Sequence, residues 1–175
     1  MKLLLDHKAD VNASRDTDSA TPLYIATQNG RTEVVKLLLD HKADINASVT
    51  TDGSTPLYIG VGLGHTEVAK VLLDHGADAN ASRDTDGVTP LYIAASNGRT
   101  EVTKLLLDHK ADVNASMTTD GVTPLYIAAQ NGNTEIVKLL LDNNANTNTR
   151  HHSSGDRPID TARQNRYWDI VKLLE

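Results

Sequence analysis

Cysteine is missing from this chain of 175 residues, and so is phenylalanine. The first absence excludes disulfides and thiol nucleophiles, and it fits a reducing, intracellular and cytoplasmic setting. The second, with a single Trp, leaves Leu, Val, Ile, Ala and Tyr to build any core. Basic residues are in the minority, 17 Lys and Arg against 23 Asp and Glu, for a net charge of −6. Such a surface repels phosphates and no Lys/Arg cluster offsets it, so no nucleic acid is expected as a partner. Long apolar runs are lacking too. The opening Leu3-Leu4-Leu5 stops at Asp6, far short of a membrane span or a signal-peptide core, so no membrane association is expected.

What the chain does have is repetition. The hexapeptide Thr-Pro-Leu-Tyr-Ile-Ala/Gly stands at 21, 55, 89 and 123, a constant step of 34 residues, and a degraded copy follows from Arg157. Lys2 to Asp10 spells the same nine residues as Lys36 to Asp44, so the chain opens in the middle of a unit and is expected to be a fragment. The implied organisation is one array: a half unit at 1–17, full units at 18–51, 52–85, 86–119 and 120–153, and a terminal unit at 154–175.

The unit at 86–119 shows how local chemistry writes the structure. Thr89 before Pro90 is held extended and placed to cap, and Pro90 suits the first helical position, where an N–H is not needed. Leu91 to Ala95 continue a short helix, and Asn97-Gly98 ends it, with Gly98 as the left-handed residue. Thr100 is expected to cap a second helix, Glu101 faces the positive end of its dipole, and Val102, Leu105 and Leu106 recur at helical spacing. A polar, turn-like stretch from Ala111 to Thr119 completes the unit. One helix pair cannot hide its own Leu and Ile side chains. Stacked copies can, at about 1.5–3 kcal/mol per buried side chain.

The pattern Asp-Gly-x-Thr-Pro-Leu-x-x-Ala … Gly-x-x-Glu-Val-x-x-Leu-Leu-Leu … Ala-Asp-x-Asn resembles the ankyrin repeat over the whole chain. The resemblance implies an all-α solenoid of stacked helix-turn-helix units, with β-hairpin or turn fingers projecting from one edge. It also implies protein–protein binding through the fingers and the concave first-helix surface, with no catalysis and no cofactor. Three departures stand out. The period is one residue longer than the family's, with the extra residue in the finger. Tyr24, Tyr58, Tyr92 and Tyr126 stand where the family favours His, and Lys8, Lys42 and Lys110 stand where it ends the second helix on Gly, which here occurs only at Gly76. The resemblance also carries a modification: Asn12, Asn46, Asn80 and Asn114 match asparagines that are hydroxylated in animal ankyrin repeats.

The last unit trades Thr, Tyr and Ile for Arg157, Asp160 and Thr161, the polar dressing a terminal cap requires. Trp168 stands where Thr134 begins its helix and is expected to pack over the end of the stack, the other reading being an aromatic offered to a partner. The half unit at the other end lacks such dressing, so Leu3, Leu4 and Leu5 are expected to fray or to drive weak self-association of an otherwise monomeric protein.

No catalytic or metal-binding constellation emerges from the residues. His7, His41, His75 and His109 recur one per unit, too far apart for ligands that must meet within about 2.0–2.3 Å of one zinc ion. Asp16-Thr17-Asp18 and Asp84-Thr85-Asp86 open like calcium loops, but Ala20, Thr27, Val88 and Ala95 fall where the later carboxylates belong. Gly60-Val61-Gly62-Leu63-Gly64 lacks the Lys-Ser/Thr ending of a phosphate loop.

The positions that differ between units are the candidates for binding. They fall in the fingers (Arg15, Asp16, Val49, Thr50, Arg83, Asp84, Met117 and Thr118) and at the end of the first helix (Leu63, Ser96, Asn97, Gln130 and Asn131). Val49, Met117 and Leu63 are expected to be exposed apolar contacts. The acidic balance favours a protein partner with a basic patch. A passive spacer within a larger multidomain protein is the alternative function.

Overall fold

The computed structural model describes residues 9–175, and among them there are ten helices and no strands. First helices begin at each Thr-Pro: α1 Pro22–Gln28, α3 Pro56–Leu63, α5 Pro90–Ser96 and α7 Pro124–Asn131, with α9 Pro158–Gln164 in the last unit. Second helices return antiparallel: α2 Thr32–Asp40, α4 Thr66–Asp74, α6 Thr100–Asp108, α8 Thr134–Asp142 and α10 Trp168–Leu174. First helices pack on first helices and second on second, so the units form a line.

The cap assigned to Thr89 is present in every full unit. Thr21, Thr55, Thr89 and Thr123 accept from the backbone N–H three residues on, at 3.2 to 3.3 Å. In the last unit Asp160 reaches back instead, its Oδ2 accepting from the Arg157 N–H at 3.0 Å and from Arg157 Nε at 3.0 Å. Thr100 does not cap its helix, contrary to the sequence expectation. Arg99 holds the cap position with no side-chain bond, and Thr100 is the first helical residue. The reason is spacing, because the residue after the left-handed Gly98 must already turn the chain into the second helix.

The core is a double row. Leu23, Leu57, Leu91 and Leu125 line the first helices, and Leu38, Leu72, Leu106 and Leu140 line the second, all without appreciable exposure. At the second-helix ends Lys42 and Lys110 do adopt left-handed backbone, φ 64° and 65°, beside Gly76 at 86° and Asn144 at 64°. Lys8 and Leu3 to Leu5 lie outside the described residues. A groove of about 500 Å³ opens beside α1 and is lined by Ala20, Pro22, Ile25 and Val34. The corresponding face of α3 is covered by α1.

Trp168 departs from expectation. At the first position of α10 it is 59% exposed instead of folded over the end of the stack, and Ile170 and Val171 are the residues that this helix buries. Polar Arg157, Asp160 and Gln164 dress the end without it.

Candidate binding surface

Each finger is a tight turn, not a strand hairpin. Two backbone bonds close it: Arg15 N to Ala20 O at 3.0 Å, Val49 N to Ser54 O at 3.0 Å, Arg83 N to Val88 O at 2.9 Å and Met117 N to Val122 O at 2.9 Å, each with a return bond to the first of these residues, from Ser19 N, Gly53 N, Gly87 N and Gly121 N at 2.8 to 3.2 Å. Inside the turn an aspartate accepts from the N–H two residues on: Asp18 from Ala20, Asp52 from Ser54, Asp86 from Val88 and Asp120 from Val122, at 3.0 to 3.1 Å. This Asx geometry turns the chain too soon for a ladder to develop.

Successive fingers are tied to one another. Thr50 N donates to Asp18 O at 2.9 Å, Asp84 N to Asp52 O at 2.9 Å, Thr118 N to Asp86 O at 3.0 Å and His152 N to Asp120 O at 2.8 Å. These bonds hold the exposed side chains of Asp16, Thr50, Asp84 and Thr118 in a row. The approach is close: a Cβ on Gly53 would lie 2.3 Å from the Asp84 carboxylate, so the glycine leaves room for that side chain, while Ser19 takes the same left-handed backbone in the first finger.

The residue before each tip behaves differently. Val49 is 4% exposed and packs on Tyr24 with Ala20, which corrects its expected role as an exposed contact. Arg83 lies over the Tyr58 ring at 5.5 Å and pairs with Asp86 through Nε at 3.0 Å. Met117 is half-buried against the core, again not the exposed fingertip expected, and the His151 ring sits 5.8 Å from that of Tyr126. The tyrosines that replace the family's His thus form seats for the next finger, and that contact orders these side chains. Arg15 has no preceding tyrosine among the described residues, and it pairs with Asp18. That guanidinium, with the Ala20 N–H, holds the Asp18 carboxyl down at about 2. Arg83 does the same to Asp86, with the pKa lowered despite an opposing effect of burial.

The second group of candidates lies at the opposite ends of the first helices, about 10–12 Å from the fingers at 1.5 Å per residue. Here a second ladder runs between units. Asn97 Nδ2 donates to Gly62 O at 3.3 Å, Asn131 Nδ2 to Ser96 O at 3.0 Å and Asn165 Nδ2 to Gln130 O at 3.2 Å. Leu63 occupies the same position, makes no such bond and is 49% exposed. Ser96 and Gln130 join this ladder through their backbone carbonyls, and the Gln130 side chain is exposed.

A third ladder was not read from the sequence. The Oδ1 atoms of Asn12, Asn46, Asn80 and Asn114 accept from the backbone N–H of Asp44, Asp78, Asp112 and Asn146 at 2.7 to 3.0 Å. Their strict recurrence was the available signal. At the second-helix ends His41, His75 and His109 turn Nδ1 back to the carbonyl four residues earlier, at 2.7 to 2.9 Å. Among the described residues no three His, Asp or Glu side chains converge as a metal site, and no helix is long and apolar enough to cross a membrane.

A row of helix pairs tied by ladders, with turns along one edge, is a helical repeat solenoid, a class whose members present surfaces instead of enclosing sites. The family profile described as ankyrin repeats (3 copies) matches residues 1–49 and 47–117, and that of ankyrin repeats (many copies) matches 98–141. The chain belongs to the ankyrin repeat family. Ankyrin repeats are generally protein–protein interaction modules. No curated protein matches the chain.

Proposed function

We propose that this chain is a non-enzymatic module that binds a protein partner through its fingertips, with the array divided into the units set out above. One observation carries the reading: Asp16, Thr50, Asp84 and Thr118 stand exposed in line while backbone bonds between fingers hold their spacing. Tips fixed in advance lose little ordering entropy on docking. With Arg15 and Arg83 engaging Asp18 and Asp86, the finger carboxylates of Asp16, Asp52, Asp84 and Asp120 carry no ion pair among the described residues, which favours a partner with a basic patch. Val49, Arg83 and Met117 support the fingers instead of contacting the partner, and the cysteine-free composition fits an intracellular setting.

The spacer reading makes the opposite prediction for one comparison. The variant Arg15→Val, Asp16→Thr, Arg83→Val, Asp84→Thr gives these two fingers the Val-Thr-Thr-Asp tip of the second. Affinity capture with the wild type and with this variant, followed by mass spectrometry, should show proteins held only by the wild type. Identical captured sets would move the contact off the fingertips, and no specific capture by either protein would favour a spacer.

A further inference from the structure

We propose that the edge built from the inter-helix loops, opposite the fingers, binds an acidic segment of another protein that carries apolar side chains. Among the described residues the exposed large apolar ones are Leu63, Tyr167, Trp168 and Leu173, and the first three lie on this edge. Interleaved with them are Arg31, His65, Arg99 and Arg166, in a protein whose net charge is −6. The finger arginines are engaged by Asp18 and Asp86, whereas Arg31, Arg99 and Arg166 form no ion pair among the described residues and are exposed. Trp, Tyr and Arg are the side chains that most often dominate protein interfaces.

Two of these residues stand where the fold itself favours another. Leu63 removes a rung of the asparagine ladder and gains no burial in return. Arg166 adopts left-handed backbone, φ 63°, where the four preceding units place Gly30, Gly64, Gly98 and Gly132. Arg99 lies against Gly64, its Cζ 2.8 Å from where a Cβ would stand, which brings a guanidinium beside Leu63. The edge is continuous: Leu63 and Trp168 are three units apart, roughly 25–30 Å at the usual helix spacing. An extended peptide of about nine residues covers that distance at ~3.3 Å per residue.

Basic and aromatic residues in alternation also suit single-stranded nucleic acid. Glu33, Glu67, Glu101, Glu135 and Asp169 stand two or three residues beyond these loops and oppose an unbroken run of phosphates. A peptide can place neutral residues there, so a protein segment is favoured.

The inference rests on the interaction-module reading, and the test separates the two. A displayed library of random peptides, about 12 residues long to cover the edge, is selected on the wild-type chain. Enriched sequences should be rich in Asp and Glu with two or more aliphatic or aromatic residues. Resynthesised and labelled, they should lose affinity by about tenfold in Leu63→Asn and in Arg99→Ser, an expected interface hot-spot effect, and bind more weakly as salt rises. Circular dichroism melts confirm that each variant is folded. Peptides indifferent to both substitutions but sensitive to Asp16→Ser/Asp84→Ser would overturn this edge and leave the finger reading standing. No enriched binder would sink this edge and leave the finger reading to the capture experiment. Tighter binding of a labelled oligothymidylate, lost in Arg99→Ser, would replace the peptide with nucleic acid.

Discussion

His65 Nε2 lies 3.1 Å from the carbonyl oxygen of Gln28, the atom that corresponds to those bonded by Asn97, Asn131 and Asn165 in later units. Leu63 cannot make the bond, and a side chain two residues further along makes it instead. The ring reaches because Gly30 leaves space: a Cβ there would lie 2.9 Å from the imidazole.

The substitution of one donor for another sets up a coupled pair. His65→Ala should destabilise the wild type by about 0.5–1.5 kcal/mol, the net value of one hydrogen bond. In a Leu63→Asn background the loss should shrink, because the introduced side-chain amide can bond Gln28 O. A double-mutant cycle by denaturant unfolding measures the coupling, and additive effects would show that the two donors do not share one acceptor.

Thr27 supplies a second pair. Its Oγ1 is buried without a hydrogen-bond partner, whereas Thr103, equally buried, donates to Arg99 O at 2.9 Å. Thr27→Val should therefore stabilise by about 1 kcal/mol, the low end of the cost of an unsatisfied buried group. Thr27 Cγ2 stands 2.9 Å from where a Cβ on Gly60 would lie. Gly60→Ala should thus be harmful alone and beneficial with Thr27→Ala, which recreates the Ala95 and Ala128 of later units. Melting temperatures of the three variants decide it.

Lys42 and Lys110 hold left-handed backbone at helix ends, where a side chain costs on the order of 1 kcal/mol relative to Gly. Lys42→Gly and Lys110→Gly should each raise the denaturation midpoint, and the double variant should show the sum, since the sites are two units apart. Unchanged midpoints would mean that the Lys stems recover the strain by packing.

Acid should break the Arg–Asp pairs of the fingers only below the ordinary carboxylate range. The Asp18 carboxyl is held at about 2 against an ordinary 3.8, so its bond to Arg15 is fully present above pH 3.8 and is lost as pH falls through about 2. Asp86 is lowered in the same direction by Arg83. Carboxyl NMR titration should find both below ordinary aspartates, and Arg15→Ser should return Asp18 towards its usual range. An unshifted Asp18 in the wild type would remove the ion pair from the finger.

Much of the fold was legible because its determinants are local. Thr89-Pro90 and Gly98 mark helix ends through steric rules that act within a few residues, and the 34-residue step fixed the architecture once one unit was read. The candidate surface was less legible. Met117 looks like an exposed tip from its neighbours in the chain, yet it is half-buried because the array brings it onto the preceding unit.

The sequence alone determined the period, the threonine caps of the first helices, the buried leucines and the family, since each follows from spacing and backbone sterics. Only the tertiary structure decided that Val49 is buried on Tyr24, that Trp168 is free, and that the two groups of variable residues occupy opposite edges. Those outcomes depend on how one unit rotates against the next, and contacts between residues some 25 to 38 positions apart set that rotation.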